Sequence, residues 1–319
     1  MTATTVRVIS DAECAQVLTP AIALEAMRQL FVELATSQAD NFPVIRERPG
    51  IAECVWGVKA GVSRPQDLLG LKIGGYWPGN PNLGLARHQS TIVLTDPHTG
   101  RCRALVGGNI ITALRTAASS ALATDLLARK DAKTLGVIGA GGQALWHVQA
   151  ALATRRFERV LIANRSVAAA QDLAARIDAP TEVVGDADGL VSRSDVVITI
   201  TGSTAPLFAA SSVRPGTHFS CMGSDTKGKR ETPSELLGMA RLFTDSIEQS
   251  LTLGEGQHGA EADDLTLLGA VAAGLAAGRA SSDDITLYDG TGLGLQDLVM
   301  AKQVLDLASA AGLGVKVDL

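Results

Sequence analysis

The chain has 319 residues, of which 46% are hydrophobic and 19% charged, with a formal net charge of −5. This length suits two domains with a sizeable core, and the mild acidity gives no indication of nucleic-acid binding. No apolar run reaches membrane-spanning length and no signal-like pattern begins the chain, so we expect a cytoplasmic protein without membrane association. Neither the four cysteines nor the five histidines show ligand spacing, so no metal site is expected.

The first third of the chain carries signals of both strands and helices. In chain order we expect a strand at Val6–Ile9, a helix from Pro20, strands and turns over residues 42–73, a hairpin joining Thr91–Thr95 to Cys102–Val106, and a long helix over residues 111–129. Thr19 should cap the helix from Pro20, because threonine before a first-position proline is a common helix start.

A glycine turn organises the second half. The apolar run Leu135–Ile138 predicts a buried strand, and the following residues fit the pattern G-x-G-x-x-G/A before a helix. Gly139 permits the tight turn, Gly141 lets a pyrophosphate approach the backbone, and Ala144 allows helix and strand to pack closely. The helix N-terminus would then bind the anion. The sequence therefore predicts a dinucleotide site, rather than a structural turn, at Gly139, Gly141, Gly142, Gln143 and Ala144.

The second strand of this half, Arg159–Ala163, bears on which dinucleotide is bound. An acidic residue about 20 positions after the glycine turn would hold the ribose hydroxyl of NAD. Asn164, Arg165 and Ser166 follow the strand instead. An arginine and a hydroxyl suit a 2′-phosphate, so we expect NADP(H) to be preferred, with NAD(H) as the alternative. A simpler interpretation is that Asn164 caps the next helix and Arg165 is solvated.

From residue 134 onward strands and helices alternate, which predicts an α/β fold with a parallel sheet covered on both faces. Ligands of such sheets bind beyond the carboxyl ends of the strands. This rule makes Thr201 and Gly202, after the fourth strand, and Met222, at the end of the fifth, candidate cofactor-binding residues.

Basic residues in the N-terminal part are candidates for binding a substrate. Arg46 or Arg48 and Arg115 could bind a carboxylate bidentately. Lys72 lies in the apolar segment Leu69–Ile73 and would be costly to bury without an anion. A small amino or imino acid would supply that anion. The alternative for each residue is a surface charge whose aliphatic stem is packed.

Three aspartates deserve separate interpretations. Asp225 follows the strand Thr217–Met222 and could hold an iminium nitrogen or shuttle its proton, the alternative being a turn aspartate. Asp289 and Asp297 flank a Gly-Thr-Gly turn, and we expect both to cap helices.

Several runs together resemble the ornithine cyclodeaminase/mu-crystallin family, in that family's order. One of these runs is residues 107–123, which contain the sequence Leu-Arg-Thr-Ala-Ala. The others are Leu71–Ile73, Asn82–Leu85, residues 139–144, Gly223–Lys229 and Thr286–Gly292. The resemblance implies a homodimer with a Rossmann-type doubly wound parallel sheet and a split α+β domain for substrate binding and dimerisation. We expect the Rossmann domain over residues 114–289 and the split domain over residues 1–113 with 290–319.

By resemblance, Lys72 and Arg115 hold the substrate carboxylate, together with Arg46 or Arg48. Thr116 would lie beside the cofactor phosphates. Lys72 and Asp225 would be the catalytic residues. The chain departs from the family pattern over Ala86–Thr91, close to the substrate pocket, where proline and small residues are more usual.

The leading hypothesis is NAD(P)H-dependent reduction of a small cyclic imino acid, of the Δ1-pyrroline-2-carboxylate or Δ1-piperideine-2-carboxylate type, to the L-amino acid. It depends on residues 164–166, because a net reductase consumes free NADPH whereas a cyclodeaminase recycles bound NAD. The alternatives are an ornithine cyclodeaminase, which is an ammonia-lyase giving proline, and a non-catalytic NADP-binding protein.

Overall fold

The computed structural model describes residues 5–319. From the N-terminus the elements are β1 (Thr5–Ile9), α1 (Asp11–Val17), α2 (Pro20–Ala35), β2 (Ala39–Asn41), β3 (Ile45–Glu47), β4 (Val55–Ser63), β5 (Leu68–Tyr76), β6 (His88–Thr95), β7 (Cys102–Gly107) and α3 (Asn109–Leu127). Next come β8 (Thr134–Ile138), α4 (Ala144–Thr154), β9 (Arg159–Ala163), α5 (Val167–Ala174), β10 (Thr181–Val183), α6 (Ala187–Val191), β11 (Val196–Thr199), β12 (His218–Cys221), α7 (Ser234–Met239), β13 (Ala240–Thr244), α8 (Ile247–Thr252), β14 (Leu265–Leu267), α9 (Leu268–Ala272) and β15 (Ile285–Asp289). The last two elements are α10 (Gly294–Ala310) and β16 (Val315–Asp318).

The chain divides into two compact units. Unit one consists of the described residues up to Arg115 together with Leu293–Leu319, and unit two is Thr116–Gly292. The first boundary falls within α3, and the second falls just before α10.

Unit one is built on an eight-stranded sheet in the order β16-β1-β7-β6-β5-β4-β2, with β3 paired to β4. Strands β1 and β7 run parallel, and the other pairs are antiparallel. Helix α10 packs across β4 and β5 and also contacts α1 and α2. Its residues Leu298, Val299 and Met300 are fully or almost fully buried. The core of this unit therefore depends on a helix from the last part of the chain.

Two glycines allow α10 to approach the sheet closely. Gly61 on β4 and Gly70 on β5 lie opposite each other. A Cβ on Gly61 would come within 2.7 Å of Leu295 Cγ, and one on Gly70 would lie 3.4 Å from Leu298 Cδ2. A larger residue at position 61 would push the helix away from the sheet.

Unit two contains an eight-stranded sheet in the order β10-β9-β8-β11-β12-β15-β13-β14, and every pair of strands is parallel. The first five strands of that order have the arrangement of a doubly wound fold, in which the order reverses between β8 and β11. Leu161, Val197 and Phe219 from these strands belong to one buried cluster. The expected α/β class with a doubly wound parallel sheet is confirmed.

Most long predicted elements are confirmed, with small differences at their ends. Strand β9 has the predicted bounds, and the Thr19 hydroxyl accepts the N–H of Ile22 as the cap of α2. The short strands β14 and β16 were not predicted, since three or four residues carry too little periodicity. Within residues 5–319, no helix has both the length and the apolar character needed to cross a membrane.

Candidate active site

A buried carboxylate joins two buried cations in unit one. Asp297, in the first turn of α10, lies 2.7 Å from Lys72 Nζ through Oδ2 and 3.2 Å from Arg115 Nε through Oδ1. The Thr112 hydroxyl accepts from Lys72 Nζ at 3.3 Å and donates to Asp297 Oδ1 at 3.2 Å. Gln296 Oε1 accepts from Arg115 at 2.8 Å. The three charged side chains belong to residues at most 7% exposed, so water screens them little.

Burial and ion pairing shift the pKa values of these groups in opposite directions. Burial alone would raise the pKa of Asp297, but Arg115 and Lys72 lower it to about 2. Burial lowers the pKa of Lys72 to about 8, although Asp297 opposes the shift. Lys72 is therefore mostly charged at neutral pH, and a guanidinium such as that of Arg115 is always charged. Asp297 neutralises only one of these two cations. A buried net positive charge suits the carboxylate of a small substrate.

The start of α3, which carries Arg115 in its second turn, is fixed by an acidic side chain from α1. Asp11 Oδ1 accepts from the backbone N–H groups of Asn109 and Ile110, both at 3.0 Å. These N–H groups have no partner within the helix, so a carboxylate from another element satisfies them and complements the helix dipole. Asp11 thus positions the helix that presents Arg115.

We expected Asp297 to cap a helix, and this expectation is wrong. Asp297 is the fourth residue of α10, and the cap position is Leu293, whose N–H donates to Gln296 Oε1 at 3.2 Å. The carboxylate of Asp297 instead pairs with Lys72 and Arg115. The anion that buried Lys72 requires is therefore supplied by the protein itself, and a substrate carboxylate would be a second anion.

Strand register distinguishes Arg46 from Arg48. Arg46 on β3 lies opposite Gly57 of β4, and Lys59, two residues further along β4, lies opposite Lys72. Because alternate residues share one face of a sheet, Arg46, Lys59 and Lys72 face the same side. Both arginines are exposed, but Arg48 lies beyond the end of β3 and has no place in this register. The arrangement favours Arg46 as the third basic residue of the candidate site.

Two titratable groups near this cluster were not identified from the sequence. Burial lowers the pKa of Lys59 to about 7, and Lys72 and Arg115 contribute to the shift. Burial also lowers the pKa of His88, with a further contribution from Lys72. A signal for Lys59 was present in the chain, because the pattern Gly-x-Lys-x-Gly occurs at residues 57–61 and again at residues 70–74.

In unit two, the turn between β8 and α4 is crowded at its first glycine and open at the next two. Gly139 has a φ of +117°, and a Cβ there would come 2.5 Å from the carbonyl oxygen of Ile200. A Cβ on Gly141 or Gly142 would meet no atom within 4 Å. Gln143, the N-cap residue of α4, makes no side-chain cap hydrogen bond. The turn fits a dinucleotide pyrophosphate, which needs close access to backbone N–H groups at a helix start.

The end of β9 presents an arginine and no acidic residue. Ser166 Oγ accepts the N–H of Ala169 at 3.3 Å and caps α5, while Asn164 Nδ2 donates to the Ser166 carbonyl oxygen at 3.0 Å. The helix cap is therefore Ser166 and not Asn164, which corrects the capping part of the simpler interpretation but not its expectation that Arg165 is solvated. Arg165, between them, is exposed.

A buried glutamate holds the loops after β11 and β12. Glu231 Oε1 accepts from the N–H and the hydroxyl of Thr201 at 2.6 and 2.7 Å. Its Oε2 accepts from the Thr199 hydroxyl at 2.7 Å and the Gly223 N–H at 2.8 Å. Burial raises the pKa of Glu231 to about 7, although these donors oppose the shift. Two polar groups of Thr201, a cofactor candidate, are therefore engaged by Glu231, whereas the neighbouring Gly202 borders open space.

The other candidates of unit two differ in exposure. Thr116 and Met222 are buried. The side chain of Asp225, in the loop after β12, is 46% exposed, with Oδ1 lying 2.6 Å from Lys229 Nζ and accepting from the Thr226 hydroxyl at 3.2 Å. The carboxylate is ionisable and accessible, and Lys229 fixes its orientation.

The order of the sheet and the run of matching residues lead to the same family. The sequence profile of the ornithine cyclodeaminase/mu-crystallin family matches residues 23–312. The chain belongs to this family. A curated relative, the iminosuccinate reductase of Paracoccus denitrificans (strain Pd 1222), is 43% identical over 320 residues, which cover 98% of this chain and 99% of the relative.

Solved structures share the fold over nearly the whole chain. The P. denitrificans iminosuccinate reductase in complex with NAD+ has a TM-score of 0.94, covering 99% of this chain and 100% of that one at 43% identity. An archaeal alanine dehydrogenase dimer with bound NAD has a TM-score of 0.93 at 28% identity, covering 98% and 99%. The Thermococcus litoralis Δ1-pyrroline-2-carboxylate reductase with NADH and L-proline has a TM-score of 0.93 at 27% identity, covering 98% and 100%.

Replacing Asp297 by asparagine should destabilise the protein, because Lys72 and Arg115 would lose their buried counter-charge. We expect the free energy of unfolding, measured by urea denaturation, to fall by about 3–5 kcal/mol. Asp306→Asn is the matched control on the same helix, since Asp306 lies 2.7 Å from Lys302 with its side chain 58% exposed. Losing that exposed pair should cost no more than about 1 kcal/mol. Equal losses for the two variants would contradict a special role for the buried carboxylate.

Proposed function

We propose that the protein is an oxidoreductase that uses NAD(P)H to reduce the C=N bond of a small imino acid, giving the L-amino acid. The observation that carries this proposal is the buried pair of cations, Lys72 and Arg115, which Asp297 neutralises only in part. The open glycine turn of unit two supports a dinucleotide as the reductant. Family membership and the reductases among the relatives support the same reaction class.

The chain's residues divide the work of this reaction. When bound, the reduced nicotinamide supplies a hydride to the imine carbon, and the imine nitrogen takes one proton. Lys72 and Arg115 would bind and orient the substrate carboxylate, with Arg46 on the same face of the sheet. Asp225 would stabilise the positive charge of the protonated imine nitrogen, an electrostatic contribution that counts most in the transition state.

Two kinds of imino acid fit this chemistry. Cyclic imino acids of the Δ1-pyrroline-2-carboxylate or Δ1-piperideine-2-carboxylate type carry one carboxylate, and the T. litoralis reductase named for the former supports them. Iminosuccinate is acyclic and carries two carboxylates, and the 43%-identical relative supports it. The same C=N reduction applies to both, so the choice depends on the other groups around the substrate.

For the cofactor, we propose that NADPH is preferred and that NADH is also accepted. The solved neighbours described above contain NAD+, NAD or NADH, which supports a nicotinamide dinucleotide. In this chain, exposed Arg165 follows β9, where an acidic residue would hold the ribose hydroxyl of NAD. A guanidinium at that point would bind a 2′-phosphate through charge-assisted hydrogen bonds.

We also propose that the protein is a homodimer of the cytoplasm. The archaeal neighbour is a dimer, which supports the first part. The four cysteines are free thiols, which suits a reducing compartment. Light scattering on the purified protein tests the assembly, and a monomer at working concentration would contradict it.

A spectrophotometric screen of imino acids with NADPH and NADH tests the reaction. We expect steady oxidation of the cofactor, with one amino acid formed for each cofactor consumed. Ammonia release from ornithine with catalytic amounts of NAD would instead support a cyclodeaminase. Cofactor binding without turnover of any imino or amino acid would support a non-catalytic binding protein.

Asp225→Asn should lower kcat far more than it raises KM, because the lost charge acts mainly in the transition state. Thermal stability should change little, since asparagine shares the turn chemistry of aspartate. Lys229→Met is the informative comparison, because it also breaks the 2.6 Å pair but leaves the carboxylate in place. If both variants lose the same activity, Asp225 only shapes the loop.

Arg165→Ala should raise KM for NADPH about tenfold or more, the loss expected for one charge-assisted contact to phosphate. KM for NADH should change little, because NADH lacks the phosphate. Arg176→Ala removes another exposed arginine, just beyond the end of α5, and serves as the control. Equal losses for NADPH and NADH in Arg165→Ala would exclude a phosphate-specific role.

A further inference from the structure

Strands β4 and β5 carry the same five-residue pattern in matching register. The segments are Gly57-Val-Lys59-Ala-Gly61 and Gly70-Leu-Lys72-Ile-Gly74. Across the two strands Lys59 lies opposite Lys72, and each flanking glycine lies opposite another glycine. Lys59 and Lys72, which we call the lysine pair, therefore share one face of the sheet with glycines on both sides. On that face α10 closely approaches Gly61 and Gly70, so the two lysines lie beside the start of that helix.

Repulsion within the lysine pair lowers the stability of the folded protein. Like charges directly opposite each other on neighbouring strands repel, because their Cβ atoms lie only about 5 Å apart. The repulsion is stronger here because Lys72 is buried and Lys59 is partly buried. Lys59 also borders the start of α10, since a Cβ on Gly294 would come 3.0 Å from Lys59 Cβ. An arrangement that stability disfavours is expected where function requires it.

The charges around Lys59 are predominantly positive. Lys72 on β5, Arg115 on α3 and Arg46 on β3 all act to lower its pKa, and Asp297 on α10 is the acid that acts to raise it. Arg46 is exposed and therefore screened by solvent, whereas Lys72 and Arg115 are buried. The cations that act on Lys59 outnumber the one carboxylate that does so. A substrate with two carboxylates would offset more of this positive charge than a substrate with one.

Another polar group lies on the same face of the sheet. His88 on β6 is opposite Tyr76, which is an even number of residues from Lys72 along β5. Burial, Lys72 and Arg115 all lower the pKa of this imidazole, which disfavours its charged form. A neutral imidazole donates a hydrogen bond from one ring nitrogen and accepts one at the other. His88 belongs to the segment Ala86–Thr91, where the chain departs from the usual family pattern.

We propose that Lys59, assisted by Arg46 and His88, forms a second carboxylate subsite, and that the substrate is an imino dicarboxylate. Lys72 and Arg115 bind the carboxylate next to the C=N bond, and Lys59 binds the distal one. The product is then an acidic L-amino acid. This inference rests on the proposed imine reduction, whose chemistry it leaves unchanged, and it selects the dicarboxylate among the substrates considered above.

Succinate and butyrate form a matched pair of probes, because they have the same chain length and differ by one carboxylate. Their binding to the full-length protein saturated with NAD+ can be measured by calorimetry. We expect the affinity for succinate to exceed that for butyrate by about tenfold or more, because succinate would gain one charge-assisted contact. In Lys59→Met the two affinities should become similar through a loss for succinate, with butyrate unchanged. Lys59→Arg should restore most of the difference.

Lys316→Met, an exposed lysine on β16 of the same unit, is the control and should bind both probes as the unmodified protein does. Lys59→Met should melt at the same temperature or higher, because it removes a repulsion. Equal affinities in the unmodified protein, no detectable binding of succinate, or an equal loss of both probes in Lys59→Met would overturn the subsite.

Turnover of imino acids is measured separately. Imine reduction without discrimination between the probes would reject the subsite alone. Discrimination without reduction of any imine would reject the proposed function and leave the subsite standing.

Discussion

The ion pair of Asp297 with Lys72 and Arg115 is the interaction on which unit one depends. Taking three charged groups out of water costs several kcal/mol for each ion unless their partners are well placed. Asp297 meets that condition from the first turn of α10, at 2.7 and 3.2 Å from the two cations. The helix reaches this position because Gly61 leaves no side chain in its path. The same close packing of α10 on the sheet therefore also places Asp297 beside Lys72 and Arg115.

Unit two uses buried carboxylates in a related way, with backbone groups as their partners. Glu231 accepts N–H groups from the loops after β11 and β12. The carboxyl group of Glu255 in turn accepts a hydrogen bond from the backbone N–H of Glu231 at 2.8 Å. It also accepts from the backbone N–H of Thr232 at 3.2 Å and from the Thr232 hydroxyl at 2.6 Å. These hydrogen bonds satisfy the buried carboxyl groups and tie the two loops to them. The two loops that border the expected cofactor site are thus fixed by acids that never contact solvent.

Local signals were sufficient for most of unit two. A strand, a glycine turn and a helix are contiguous, and the alternation of later strands with helices determines a parallel sheet. The positions of Gly139 and Gly141 could therefore be interpreted from neighbouring residues alone. Thr201 shows the limit of that approach, because its position after a strand was clear while its engagement by Glu231, thirty residues later, was not.

Unit one was less predictable because its contacts join distant parts of the chain. Lys72 and Arg115 could be identified as unusual residues, but Asp297 had the local pattern of a helix-start acid. The position of Lys59 opposite Lys72 depends on strand register, which the sequence of one strand does not reveal. Arg46 and Arg48 could be distinguished only once β3 was paired with β4. The roles of these residues follow from pairing and not from composition.

The separation in sequence between Asp297 and its two cationic partners has a consequence for synthesis on the ribosome. Arg115 and Asp297 are 182 positions apart, and all of unit two lies between them. Lys72 and Arg115 emerge from the ribosome long before the carboxylate that neutralises them. Until α10 has been made, burying these two cations would leave them without their counter-charge, which is costly. The buried cluster can therefore be completed only when nearly the whole chain has been made.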